Sequence, residues 1–244
     1  VVEVGGWDEA FVGATCDDPE ALARALKDRV AADTGLTCAV GIGETKLQAK
    51  TATGFAKPGG LARLTSGTWL DVMGDRPVTS IWGIGTRTAL RLEELGVRTV
   101  RELSMADRDE LAGTFGPTIG PGLKIQGLGG GRGPVVGEAR LARGRSRETT
   151  FTRDVSDPDE LDDHLVRLAT EVTESVVAEG RTVTHVAVKV RTASFFTRTK
   201  ISKLPAPTTD PAEVARAARL VLSRFELARA VRLLGVRVVL SMPS

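Results

Sequence analysis

The run Gly127–Gly133, closed by Pro134, does most to limit what this chain can become. Glycine loses more backbone freedom on ordering than any other residue, and proline has no backbone donor. No helix continues through such a stretch. The chain is thereby divided into one compact part ending near residue 137 and another that starts beyond a polar, arginine-rich stretch, Glu138–Arg147. Its 244 residues suit two or three small domains better than one.

Charge follows the same division. Residues 1–137 hold 15 Lys+Arg against 17 Asp+Glu, and residues 138–244 hold 18 against 14, so the second part is the basic one although the net charge is only +2. That asymmetry permits nucleic-acid binding without requiring it. At 41% hydrophobic and 26% charged residues the chain has the makings of a core, which excludes a disordered polymer. The two cysteines, Cys16 and Cys38, have no metal-ligand spacing and read as core residues in a reducing, cytoplasmic compartment. His164 and His185 read as structural. No run is apolar and long enough to span a membrane, and no signal peptide is visible.

The first segment alternates strand and helix. Val1–Val4 and Ala10–Thr15 predict a strand pair around Gly5-Gly6, and Pro19 to Thr34 a helix ended by Gly35. A strand over Leu36–Gly43, a helix over Thr45–Thr53 and a strand over Leu61–Leu64 follow. From Trp69 the pattern becomes short helices punctuated by glycine. The last segment reads strand (Thr149–Arg153), helix (Pro158–Glu179), strand (Val183–Thr192), strand (Phe195–Ser202), helix (Pro211–Ala228) and strand (Val231–Ser241). That β-α-β-β-α-β order predicts a four-stranded sheet with two helices on one face.

Four constellations carry chemistry. Asp8 and Glu9 sit at the expected hairpin tip, where two carboxylates can reach one pocket and suit a hard cation such as Mg²⁺. Ile81-Trp82-Gly83-Ile84-Gly85 ahead of a helix is a helix–hairpin–helix signature. Its glycines allow a turn whose backbone N–H groups, beside a helix N-terminus, hold a phosphate without reading a base. Lys57 before Pro58-Gly59-Gly60, and Lys46 after Gly41-Ile42-Gly43, can neutralise a triphosphate as point charges. Thr197-Arg198-Thr199-Lys200, on a strand, and Arg143, Arg145 and Arg147, in the linker, suit phosphate tracking along a duplex over an open sheet.

In this order the parts resemble a Y-family DNA polymerase of the DinB, or polymerase IV, type. Asp8-Glu9-Ala10-Phe11 is similar to that family's palm motif, although Gly6 and Trp7 replace its usual Ser and Ile or Val. Gly41-Ile42-Gly43-Glu44-Thr45-Lys46-Leu47-Gln48-Ala49-Lys50 resembles a second palm stretch, with Thr45 where Asn is usual, and Lys57-Pro58 its triphosphate contact. Trp82-Gly83-Ile84-Gly85 resembles the thumb hairpin, and Arg232-Leu233-Leu234-Gly235-Val236 the last strand of the little finger.

The resemblance implies an α+β fold: a partial palm (1–72), a helical thumb (73–137), a linker (138–148) and a little finger (149–244). It implies template-directed DNA synthesis past lesions, with two Mg²⁺ ions, primer–template DNA and a deoxynucleoside triphosphate as partners. A sliding clamp would be reached through a tail outside this chain. Asp8 would bridge the two metals, Glu9 would bind the one nearer the primer, and Lys57 and Lys46 would meet the triphosphate. Trp82, Gly83, Ile84, Gly85, the linker arginines and Thr197–Lys200 would hold DNA. The family's first palm strand and fingers have no counterpart here, so the chain is expected to be a piece of a longer protein that binds DNA without extending it. Two other readings are an accessory protein that has lost its chemistry and, on Gly-Gly before Asp-Glu, a nucleotide cyclase whose signature Trp7 and Ala10 interrupt.

Overall fold

The computed structural model describes residues 1–131, 133–138 and 141–242. Positions 132, 139, 140, 243 and 244 lie outside the described residues; they fall in the glycine run, the expected linker and the end of the expected little finger. The fold is α+β and divides into two units, Val1–Ala139 and Arg140–Ser244.

The first unit opens with an antiparallel hairpin of β1 (Val2–Val4) and β2 (Ala10–Val12), in which Glu3 stands opposite Phe11. Helix α1 (Pro19–Thr34) starts where the Asp18 carboxylate accepts from the N–H groups of Glu20 and Ala21, at 3.0 and 2.9 Å. It stops at Gly35, whose φ of 72° is left-handed. Strand β3 (Val40–Gly43), helix α2 (Lys46–Ala56) and strand β4 (Leu61–Leu64) form a parallel β-α-β unit. The strand expected over Leu36–Gly43 is shortened because β4 offers partners only from Val40 to Gly43. Helix α2 lies so close to β3 that a Cβ on Gly41 would overlap the Ala49 carbonyl and one on Gly43 would meet the Ala49 amide.

Helices α3 (Trp69–Met73), α4 (Thr86–Glu93), α5 (Val100–Met105), α6 (Arg108–Phe115) and α7 (Ile119–Gly127), with a 3-10 turn at Val78–Ser80, complete this unit. Leu47 of α2, Trp69, Met73, Ile81, Leu92 and Leu103 share one core, and the Trp69 indole donates to the Gly127 carbonyl at 2.8 Å. The glycine run thus ends α7 and is tied down by the tryptophan. A capping box starts α5: Thr99 Oγ1 accepts from the Glu102 N–H, and the Glu102 carboxylate accepts from the N–H groups of Arg98 and Thr99. Those backbone donors, Arg98 first, hold the Glu102 carboxyl below the usual carboxylate range.

The second unit runs β5 (Gly144–Val155), α8 (Pro158–Val177), β6 (Val183–Thr192), β7 (Thr197–Thr208), α9 (Pro211–Leu222) and β8 (Val231–Leu240). The antiparallel sheet has the order β5-β8-β6-β7, so β5 and β7 are its edges. Val186, Val188 and Val190 of β6 and Leu234, Val236 and Val238 of β8 form one core with Leu161, Leu165 and Leu168 of α8 and Val214, Ala218 and Val221 of α9. Both helices therefore cover the same face of the sheet. Asp157 and Asp210 cap α8 and α9, each followed by a proline at the first helical position. The helices are joined by a two-pronged ion pair in which Arg219 donates to both Asp162 oxygens, at 2.7 and 2.6 Å. That hydrogen bonding holds the Asp162 carboxyl below the usual aspartate range.

Candidate active site and nucleic-acid interface

The hairpin tip carries the two expected carboxylates. The N–H groups of Gly5 and Gly6 donate to the Glu9 carbonyl at 2.9 and 3.2 Å, which folds residues 5–9 back on themselves and leaves Asp8 and Glu9 exposed beside a fully exposed Trp7. The Glu9 carboxylate takes an ion pair from Lys50 of α2. Oxygen donors of this kind suit a hard divalent cation. They do not complete the two-ion site expected of them: among the described residues no group of three or more His, Cys, Asp or Glu side chains could hold a metal, and a lysine already engages Glu9.

One helical turn before Lys50, Lys46 is buried, and its ammonium lies 2.5 Å from Glu3 of β1 and 5.7 Å from the Phe11 ring centroid. Lys46, expected to meet a triphosphate, is thus placed inside the protein against Glu3. Lys57 is placed differently. It is exposed at the end of α2, and the turn after it is fixed by the Gly60 N–H donating to Ala56 (2.6 Å) and by Lys27 of α1 donating to the Gly59 carbonyl.

In the Ile81–Gly85 hairpin the two isoleucines are core anchors, 1% and 4% exposed, so Ile84 positions the turn and offers nothing to a ligand. Gly83 has a φ of 98°, a conformation that a side chain disfavours, and Gly85 stands at the N-cap of α4 without a side-chain cap. Gly83, Gly85, Thr86 and Arg87 are exposed there. Trp82 is turned toward the β1–β2 hairpin, its ring centroid 6.0 Å from that of Phe11 and 5.9 Å from the Lys50 ammonium.

The sheet of the second unit has two unlike faces. Residues paired across a ladder share a face, and period-two alternation carries each face along a strand. Arg145 pairs with Val238 and Arg147 with Val236, while Arg198 pairs with Val190 and Lys200 with Val188. All four basic residues thus lie on the helix-covered side, at the two edge strands. Arg145 is bound to Glu179 at 2.6 Å, and Lys200 donates to the Arg224 carbonyl. The register takes Arg198 and Lys200 off the open face expected of them and puts Arg145 and Arg147, expected in a linker, on a strand. Thr197 and Thr199 do lie on that face, and exposed Arg143 lies just before β5. The linker expected up to residue 148 is shorter, because strand pairing starts at Gly144.

The helix-free face instead carries residues not singled out from the sequence: Lys189 and Arg191 of β6, Lys203 of β7 and Arg237 of β8, with Glu148 of β5 2.8 Å from Lys189. The signal was present in Val186-x-Val188-x-Val190, whose alternation sends Lys189 and Arg191 to the opposite side from the core.

Comparison with known proteins agrees with this layout. Residues 1–54 match the impB/mucB/samB family, residues 143–239 the C-terminal domain of that family, and residues 75–119 a SAM-like helix-hairpin-helix tandem. DNA polymerase IV 2 of Mycobacterium tuberculosis is 47% identical over 243 residues, which span 98% of this chain and 70% of that protein. DNA polymerase IV of Methanoculleus marisnigri is 38% identical over 89% of this chain and 60% of its own length. That of Streptomyces coelicolor is 34% identical over 98% and 51%. A solved Y-family DNA polymerase chimera, Dbh-Dpo4(243-245)-Dbh, shares the fold with a TM-score of 0.81 at 23% identity, over 98% of this chain and 70% of its own. The chain belongs to the Y family of DNA polymerases, of the DNA polymerase IV (DinB) type, a family of nucleotidyltransferases that use divalent metal ions. Among the described residues no helix is long and apolar enough to cross a membrane.

Proposed function

We propose that this chain is the DNA-gripping part of a translesion DNA polymerase: it binds primer–template DNA through the sugar-phosphate backbone and does not by itself extend a primer. The observation that carries this reading is the helix-free sheet face, which brings together Lys189, Arg191, Lys203 and Arg237, with Glu148 beside Lys189. Cations spread over a broad surface neutralise phosphates without reading bases. The Gly83–Gly85 turn and the uncapped start of α4 add backbone N–H groups suited to a further phosphate.

Asp8 and Glu9 are the reading's catalytic carboxylates and exposed Lys57 its triphosphate contact. Two carboxylates, one of them engaged by Lys50, support cation binding less than the two-Mg²⁺ scheme requires. For that reason the chain alone is expected to lack extension. In the whole protein the reading includes template-directed addition of deoxynucleotides opposite damaged bases, a sliding clamp as partner and a cytoplasmic setting. A catalytically silent accessory protein is the second reading, favoured by the same shortage of carboxylates. The family match leaves a cyclase without support.

Fluorescence anisotropy of labelled primer–template DNA, titrated against the chain across a salt series, tests the grip, and a primer-extension assay on the same samples tests the chemistry. Sequence-indifferent binding that weakens steeply with salt, without extension, is expected. Robust extension would overturn the second half of the proposal, and no binding at low salt the first.

A further inference from the structure

Lys46 and Lys50 leave α2 one turn apart, and each meets a carboxylate of the β1–β2 hairpin, Glu3 and Glu9 respectively. Each also lies against an aromatic ring: Lys46 is 5.7 Å from the centroid of Phe11, and Lys50 is 5.9 Å from that of Trp82. The two rings in turn face each other, with centroids 6.0 Å apart and planes inclined at 37°. Ammonium over ring and tilted ring against ring are both attractive arrangements. Trp82 is the residue at which this lattice leaves the hairpin and α2 and enters the turn before α4. Ile81 before it and Ile84 beyond Gly83 are buried, so the core and the Trp82 ring together fix the turn.

We propose that Trp82 is a joint, not a DNA contact: Phe11 and Lys50 hold its ring, and through it they set the position of the Gly83–Gly85 turn that grips phosphate. Phe11 and Lys50 are then positioning residues for DNA binding, acting through Trp82. This rests on the proposed DNA grip of that turn. A lysine already paired with Glu9 and covered by an indole has little charge left to give a phosphate, and the Phe11 ring has none. What the pair supplies is geometry, and with it the carboxylate-bearing tip and the gripping turn are held as one piece.

The salt dependence of DNA binding separates a joint from a contact, because each phosphate neutralised contributes about 0.9 to the slope of log affinity against log salt. Phe11→Ala, Lys50→Met and Trp82→Ala are each expected to weaken binding of primer–template DNA by roughly three- to tenfold, the scale of one aromatic or cation–ring contact. The salt slope should stay at the parent value. Phe11→Ala combined with Trp82→Ala should lose no more than Trp82→Ala alone, and Phe11→Tyr and Lys50→Arg should restore affinity. Thermal melting of each variant identifies any that fails to fold, and the two rescuing variants then carry the test. A Lys50→Met slope lower by about one, with Phe11→Ala indifferent, would make Lys50 a phosphate contact and overturn the joint. A parent that binds DNA while all three variants bind equally well would overturn the joint alone. A parent that does not bind would overturn the DNA grip and the joint with it.

Discussion

The β1–β2 hairpin and the four-stranded sheet of the second unit face opposite structural problems. The hairpin has three residues in each strand, and a sheet of two such strands has no stability of its own in water. It is held from outside, by lysines of α2 and by the Trp82 ring. The larger sheet carries its own core, with valines and leucines of β6 and β8 sealed by α8 and α9, and its other face is left to charge. Carboxylates placed on a tethered element can be shifted by whatever holds the tether, whereas cations on a self-supporting sheet keep their spacing. The proposed function puts chemistry on the first kind of element and grip on the second.

Cutting into the larger core should give the largest effect and leave the hairpin untouched. Leu165→Ala empties a fully buried position and is expected to cost about 4 kcal/mol, seen as a lower denaturation midpoint. An equal loss of amide protection in Val2–Val12 would break the contrast. In the hairpin the sensitive position is polar. Lys46→Met takes the ammonium from a Glu3 carboxylate that keeps the Val136 N–H at 2.8 Å, and it is expected to cost about 2 kcal/mol locally, read as faster amide exchange across the hairpin with little change in the second unit. Adding Glu3→Leu should recover only part of it, because the Val136 N–H then loses its acceptor.

The smallest effect sharpens the comparison through pH. Asp162 has its carboxyl lowered by Arg219, so in the folded state it stays ionised to lower pH than in the unfolded chain. Its contribution is present above the ordinary aspartate range and is lost as pH falls through the depressed folded value. Both side chains are well exposed, so Asp162→Asn should cost at most about 1 kcal/mol at neutral pH. The difference from the parent, followed by thermal melting, should close in acid.

Much of the second unit was legible because its elements carry their own punctuation. Asp-Pro starts both long helices, and the edges of β6 and β4 fall where the pattern of apolar residues and turns puts them. Two edge strands were misjudged for physical reasons. Gly144–Glu148 of β5 looks like a linker because its exposed residues need only one paired side. Strand β7 starts at Thr197 because Phe195 turns the chain with a φ of 62°, and it runs through Pro205 and Pro207, which only an edge tolerates. The faces of the basic residues were illegible for a related reason. Alternating Thr and basic residues in Thr197–Lys200 tell that two faces differ, but a one-residue change of register exchanges them, and register is set by partners distant in sequence. At the first site the carboxylate pair was legible from Asp8-Glu9 at a turn. The pairing of Lys46 with Glu3 was not, because 43 residues separate them.

The central claim, that grip belongs to the helix-free face, is tested most directly by the salt dependence of primer–template DNA binding in two paired variants. Arg191→Gln with Arg237→Gln removes two cations from that face, and Arg147→Gln with Arg198→Gln removes two from the helix-covered side. The first pair should lower the slope of log affinity against log salt by about two and the second should leave it near the parent value. The reverse result would place the duplex on the helix side and contradict the account.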